Sequence, residues 1–403
     1  MCSEPFGSIS GPSEGAPLGI YGKSQSIVDS KEVFPGPSVD PETGEIRGSD
    51  DPSAVRLERF ALQAVVRSIL PGWPTAKCLR VPFRPNVDVF YSPAHQSASF
   101  GGLVTCASVW NCPICAAKIT ERRRVEIQAA IAAWEARGGS VALLTLTHGH
   151  TLGDRLADLL MGQQKALKRF FGGRSGLRLM EALGRRGQIR AWEVTHGRGR
   201  EINNGWHPHF HILLFLDQSH QSLDWAEDWA FTVWVNACRL SGLPLPNRLR
   251  GVTLKDGAQA SSYVAKMGHE QASTWGLDSE LTKGHIKRAG DKGETPFDLL
   301  RSCLACDDPQ GRALFLEYAQ AFRGKRQLVW SRGLRELLDL GVVLSDEEVA
   351  ALQEDDAFVL AALSRADWRV VLKFDARGEV LELARHGDAE LLLRFVARLR
   401  EHL

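Results

Sequence analysis

The stretch Trp206-His207-Pro208-His209-Phe210-His211-Ile212-Leu213-Leu214-Phe215-Leu216 constrains this chain more than any other. Three imidazoles stand at every second position and a wholly apolar run follows them. Successive side chains of a β-strand alternate between faces, so His207, His209 and His211 project from one side. Phe210, Ile212 and Leu214 face the other, toward a core. Neutral imidazole is the commonest protein metal ligand. The competing reading is a surface strand with incidental histidines. Because three of the chain's 12 histidines share this one spacing, a divalent metal site is the stronger expectation. Such a site needs further ligands from elsewhere in the chain.

With 403 residues there is room for two or three folded units, and 44% apolar residues suffice for ordinary cores. No run approaches the roughly 18 to 20 apolar residues of a membrane span. The N-terminus lacks a basic region leading into an apolar segment. A cytoplasmic protein with no membrane partner is therefore expected. Eight cysteines in such a chain argue for metal binding and free thiols before disulfides. The net charge of +1 hides an asymmetry. Residues 118–200 hold 16 Lys and Arg against 7 Asp and Glu, whereas residues 345–403 hold 8 against 13. The basic middle is a candidate polyanion-binding surface, although a charge run is often only a solvated face.

In chain order, residues 1–55 are rich in Gly, Ser and Pro without a hydrophobic period and are expected to be a disordered leader. Residues 56–137 read as a helix followed by a cysteine unit. Cys112-Pro113-Ile114-Cys115 has the spacing that turns two thiolates onto one Zn2+. Cys106 precedes the pair, and Cys78 closes a tetrahedron from upstream, with His95 as a competing fourth ligand. Four protein ligands leave no open position, so this zinc would be structural. The segment from Val81 to Gly102 reads as a hairpin, and an amphipathic helix runs from Ala116 to about Ala136.

Residues 138–275 alternate strands and helices. A strand over Val141 to Thr147 is followed by a helix over about Leu152 to Phe171, then breaks at Gly172-Gly173 and Arg185-Arg186-Gly187. Strands over Ile189–Thr195 and His207–Leu216 follow, joined by a polar loop. A helix from about Trp225 to Leu240 and a strand at Gly251 to Leu254 complete the unit. This order is that of an α+β fold with a ferredoxin-like, split-βαβ antiparallel sheet covered by helices on one side. Glu193 would reach the histidine face if the hairpin pairs in register, or serve only as a cross-strand ion-pair partner. Gln259, Tyr263 and Lys266 share one helix face by spacing. Of the four tyrosines, Tyr263 alone is close in sequence to the metal strand and paired with a cation, whereas Tyr318 lies in an apolar helical pattern. Cys303 and Cys306 repeat the two-residue spacing without a second pair nearby and read as helix. Residues 276–340 are expected to be a helical extension. Residues 341–403 are expected to form a small acidic α/β accessory domain, in which Ser345 opens a helix and the runs 370–374 and 380–383 flank a turn.

Histidines and a carboxylate around a divalent ion, beside a tyrosine and a lysine, fit nucleophilic attack on a phosphodiester. The order Leu144-Thr145-Leu146-Thr147, Trp192-Glu193-Val194-Thr195-His196-Gly197, Gly205-Trp206-His207-Pro208-His209-Phe210-His211 and Tyr263-Val264-Ala265-Lys266 resembles plasmid rolling-circle replication initiators of the HUH endonuclease superfamily. There the name denotes a His-hydrophobic-His motif, here His209-Phe210-His211. The segment Cys106 to Cys115 and the run Leu328-Val329-Trp330-Ser331-Arg332-Gly333-Leu334 resemble actinobacterial-type members. The resemblance spans roughly residues 78 to 335. It implies a site- and strand-specific DNA nickase in which Tyr263 attacks the origin phosphate, forming a 5′-phosphotyrosine and a free 3′-hydroxyl. It further implies Mn2+ or Mg2+ held by His209 and His211 with Glu193 or His207 third. The implied partners are origin DNA, single-stranded or hairpin at the nick, and host helicase and polymerase. Some members place a glutamate four residues before the tyrosine; here Gln259 stands there, and Glu270 is only a distant substitute. The rival readings are an HUH transposase or relaxase and, from another class, a zinc-stabilised DNA-binding regulator without catalysis. No Gly-x-x-x-x-Gly-Lys phosphate loop of the kind a relaxase's helicase carries is visible, and a cupin-like oxygenase would need more short strands.

Overall fold

The computed structural model describes strands Ser38–Val39 and Ile46–Arg47 and residues 52–200, 202–257 and 293–402. Most of the expected leader therefore lies outside the described residues, as do Gln259, Tyr263, Lys266 and Glu270. The protein is α+β, with antiparallel sheets. Two compact units form, and neither is continuous in sequence.

The larger unit takes in the second half of helix α1 (Pro52–Ile69), α2 (Pro74–Lys77) and residues 105–352. Long helix α3 (Pro113–Glu135) enters it with Pro113 in its first turn, where the missing N–H costs nothing. The sheet strands are β5 (Ser140–Leu146), β6 (Arg185–His196), β7 (Trp206–Leu216), β8 (Val252–Asp256) and β9 (Leu328–Trp330). They lie in the order β8-β5-β7-β6-β9, every pair antiparallel. Strand β7 thus sits between β5 and β6, the two strands joined through helices α4 (Leu156–Gly172) and α5 (Arg174–Ala182). Helix α6 (Asp224–Arg239) leads into β8. Helices α7 (Pro296–Cys306) and α8 (Pro309–Phe322) precede β9, and short α9 (Leu334–Leu337) and α10 (Asp346–Ala351) follow it. Cys303 and Cys306 are helical, and Ser345 caps α10 in a capping box, both as expected.

One face of the sheet packs Phe210, Ile212, Leu214 and Leu216 against Leu159, Phe170, Trp234 and Phe315. The expectation of helices on one side alone is corrected here. Leu213 and Phe215 are equally buried on the other face, against Ile127, Ile131 and Trp134 of α3. The reason is legible in β7, whose C-terminal half is apolar at consecutive positions, the pattern of a strand covered on both sides. Trp206 anchors the near end of the strand: it is 2% exposed and its Nε1 donates to Glu317 Oε2 at 2.9 Å. Trp206→Ala is expected to cost about 3–5 kcal/mol, read as a lower urea midpoint at an unchanged m-value.

Three local readings are corrected. Arg185-Arg186-Gly187 does not break the chain but begins β6, with a bulge between Arg185 and Gly187 where Leu334 leaves no room for a Cβ. Residues 328–330 are strand within the expected helical extension, because the open edge of β6 offers unpaired backbone groups that three extended residues satisfy. Residues 370–373 and 380–383, on either side of the turn, are helical.

The second unit joins hairpin β3 (Val87–Ser92) and β4 (Ser97–Gly101) to the C-terminal segment. Strand β10 (Phe358–Leu363) pairs with β3, and α11 (Arg365–Lys373), α12 (Arg377–Ala384) and α13 (Ala389–Glu401) cover that sheet. Val370 and Val371 are buried on α11, and Val380 and Leu381 on α12, so these apolar runs pack from helices, whatever strand propensity their valines carry. The accessory region expected to stand alone at 341–403 is thus built around a hairpin some 260 residues upstream. A segmentation in chain order has no means of representing that pairing.

Candidate metal centre and cysteine site

The register of the sheet sets the first site. Glu193 faces His209 across β6 and β7, Ala191 faces His211, and Thr145 of β5 faces His211 from the other side. Cross-strand partners share a face, so Glu193, His209, His211 and Thr145 meet on one surface at the end of the sheet not occupied by Leu213 and Phe215. His209 and His211 are 9% and 6% exposed. Their Nε2 atoms lie 3.1 Å apart, and Glu193 Oε2 lies 3.1 Å from His211 Nε2 and 3.8 Å from His209 Nε2. Bonds of about 2.1 Å separate neighbouring ligands by about 3.0 Å in an octahedron and about 3.4 Å in a tetrahedron. The three atoms therefore fit one divalent ion, and this group is one of two metal-ligating clusters among the described residues.

Both imidazoles are oriented from behind, as metal-bound histidines ordinarily are. Thr145 Oγ1 lies 3.2 Å from His211 Nδ1, and the His207 carbonyl oxygen 3.3 Å from His209 Nδ1. The reverse face of β7 is held by Gln163 of α4, which is fully buried. Its Nε2 donates to the Pro208 carbonyl at 2.7 Å and its Oε1 accepts from Trp192 Nε1 at 3.2 Å. Sequence reasoning passed over this residue. The signal was a glutamine inside the apolar stripe Leu159, Leu160, Ala166 and Leu167. Pro208 is tolerated in a central strand because β5 ends opposite Phe210, leaving β7 paired with β6 alone at that point.

His207 is not in the metal group. Its ring stacks on His150 at 4.7 Å, and burial pushes its pKa down to about 2, helped by the neighbouring imidazoles His209, His150 and His148. Burial also lowers His148 and His196 to about 4 each. A histidine with a depressed folded-state pKa binds its proton more readily when unfolded. Stability is therefore complete above the unfolded value near 6.5 and lost as the pH falls toward 4. We expect the thermal midpoint to fall progressively between about pH 6.5 and 4 and a His148→Gln chain to show a shallower decline.

The second cluster lies in the larger unit and holds Cys106, Cys112 and Cys115. Cys106 and Cys115 sulfurs are 3.7 Å apart. A tetrahedron with 2.3 Å metal–sulfur bonds has edges of about 3.8 Å, so the spacing fits Zn2+. Cys112 caps the N-terminus of α3, where the helix dipole favours thiolate, and Gln63 Nε2 donates toward its sulfur at 3.5 Å. His95, the competing ligand, is outside the group and lies 3.7 Å from Glu354.

The family model for a replication protein matches residues 103–378. This chain belongs to the replication protein family. "Protein rep" of Streptomyces lividans is 32% identical over 307 residues, covering 59% of this chain and 64% of that protein. "Neomycin resistance protein" of Streptomyces cyanogenus is 31% identical over 159 residues, covering 33% of this chain and 35% of that protein. The chain thus spans just under two thirds of the length of the first of these relatives. No solved structure matches. The family match takes in Glu193, His209 and His211 together with Cys106, Cys112 and Cys115. No helix among the described residues is long and apolar enough to cross a membrane.

Proposed function

We propose that this member of the replication protein family initiates rolling-circle plasmid replication as an HUH-type nickase. The observation that carries the reading is the convergence of Glu193, His209 and His211 on one point, in a chain whose family is a replication protein family. The sheet order, with β7 between the two strands of a split β-α-β unit, supports the ferredoxin-like nuclease form of that fold. Glu193, His209 and His211 would hold Mn2+ or Mg2+, and the bound ion supplies charge neutralisation at the non-bridging phosphate oxygens. The imidazoles His148, His196 and His207 stay neutral at pH 7 and add no competing charge near these ligands.

In the proposed reaction the Tyr263 hydroxyl oxygen attacks the scissile phosphorus. The phenol gives up its proton, a tyrosine oxygen–phosphorus bond forms, the bond to the 3′ oxygen breaks, and that oxygen takes up a proton and leaves as a 3′-hydroxyl. Lys266 neutralises the phosphate or stabilises the phenolate. Tyr318 is excluded as the nucleophile by its burial in the core, which pushes its phenol pKa up. Gln259 cannot accept a proton, so termination proceeds through another group or a second tyrosine attack. Cys78, Cys106, Cys112 and Cys115 would hold a structural Zn2+. Origin DNA is the substrate, and host helicase and polymerase act on the opened strand.

The reading is tested by incubating the protein with single-stranded DNA from its replicon's origin, with Mn2+ or with EDTA. The expected result is a metal-dependent covalent DNA–protein adduct. A transposase or relaxase would form it on other termini, and a non-catalytic regulator would form none.

A further inference from the structure

The sheet face opposite the metal ligands carries partly buried cations that no carboxylate answers among the described residues. Half-buried or buried arginines elsewhere are paired: Arg123 with Glu126 and Asp346, Arg198 with Glu294 and Asp308, Arg335 with Glu126, Arg377 with Asp375. Arg185 and Arg190 of β6 and Lys325, in the turn after α8, have no such partner among the described residues. Arg190 lies over the rings of both Trp192 and Phe210, at 5.4 and 5.3 Å, and Lys325 lies 5.3 Å from the same Trp192 ring. Arg185 lies over Phe171 and donates to Gln188, while its buried Nε has no partner. Burial lowers the pKa of all three groups. Leaving a desolvated charge without a counter-ion is costly, and proteins ordinarily avoid it unless a ligand supplies the opposite charge.

Resting on the proposed reading of the chain as a DNA nickase, we infer that Arg185, Arg190 and Lys325 form a binding track for the phosphodiester backbone of DNA, separate from the nicking centre. Strand alternation puts Arg190 and Trp192 on the face opposite Glu193, so the track is not a part of the metal site. In register, Arg185 and Arg190 stand opposite Leu216 and Ile212, four residues apart and so about 13 Å. One phosphate does not bridge that distance, so the two guanidiniums answer separate phosphates along one backbone. Aromatic faces beneath Arg190 hold its planar guanidinium, whose fork suits bidentate contact with phosphate oxygens. A backbone contact of this kind positions the duplex without reading its sequence.

The test compares the full-length protein with the Arg185→Gln/Arg190→Gln/Lys325→Gln triple variant. Binding of a labelled duplex without origin sequence is followed by anisotropy across a salt series, beside adduct formation on a short origin oligonucleotide. The expected result is a salt slope shallower by about 0.9 per removed cation and at least about tenfold weaker duplex binding at low salt. Adduct yield on the oligonucleotide stays unchanged. Glutamine variants at unpaired cations should unfold no earlier than wild type, whereas the paired control Arg198→Gln should unfold earlier. An unchanged slope overturns the track, and so does a triple variant that unfolds as early as the control with its slope intact. Equal competition by inorganic phosphate would mark a single-anion site and also overturn it. Wild-type protein that binds duplex but forms no adduct removes the nickase reading and leaves the track standing; wild-type protein that binds no DNA removes both.

Discussion

A Tyr263→Phe chain is expected to form no covalent adduct with origin DNA, a loss of more than about 10³-fold in rate, while still binding the same oligonucleotide. Phenylalanine keeps the ring and removes only the attacking oxygen. Binding therefore survives if the tyrosine's role is chemical. Denaturing gels of the wild-type and variant proteins, incubated with labelled DNA and Mn2+, read the adduct directly. An adduct persisting in Tyr263→Phe would move the nucleophile elsewhere. Tyr318 is a poor substitute because it is 3% exposed within the core. Lys266→Ala is expected to slow adduct formation by about a hundredfold without abolishing it, as removal of one charge-stabilising donor typically does.

The second large effect is expected at the cysteine site. Cys112→Ser should lose bound zinc, about one ion per chain, and most soluble expression. Structural zinc contributes on the order of 10–16 kcal/mol to the folding of small metal-bound units, and a hydroxyl is a far weaker ligand than thiolate. Cys112 is fully buried at the N-cap of α3, whose Ile127, Ile131 and Trp134 cover one face of the sheet. Loss of the ion should therefore release the helix that closes that face. Elemental analysis and a thermal melt of the purified variant check this. A variant with wild-type zinc and midpoint would show that Cys112 is only a buried thiol.

The two sites fail differently under chelation. EDTA at a concentration that strips a three-ligand, open site should stop adduct formation before it affects a four-thiolate site, whose ligand set is complete. Activity that returns on adding Mn2+ alone would separate the two ions.

The sequence by itself determined the local pieces whose physics is local. Alternation placed Phe210, Ile212 and Leu214 in a core and His209 and His211 on the reverse face. Short-range spacing likewise put Cys112 and Cys115 on one turn, and the capping pattern at Ser345 opened a helix. Tertiary structure decided what depends on distant partners. Of Glu193 and His207, only Glu193 lies within metal-ligand distance of His209 and His211, because the β6–β7 register aligns Glu193 with His209 while His207 stacks on His150. The apolar runs near residues 370 and 380 became helices, since their apolar faces had a sheet to cover. Strand β10 found its partner in β3 across more than 250 residues, a pairing set by burial and backbone hydrogen bonding between segments that no local pattern connects.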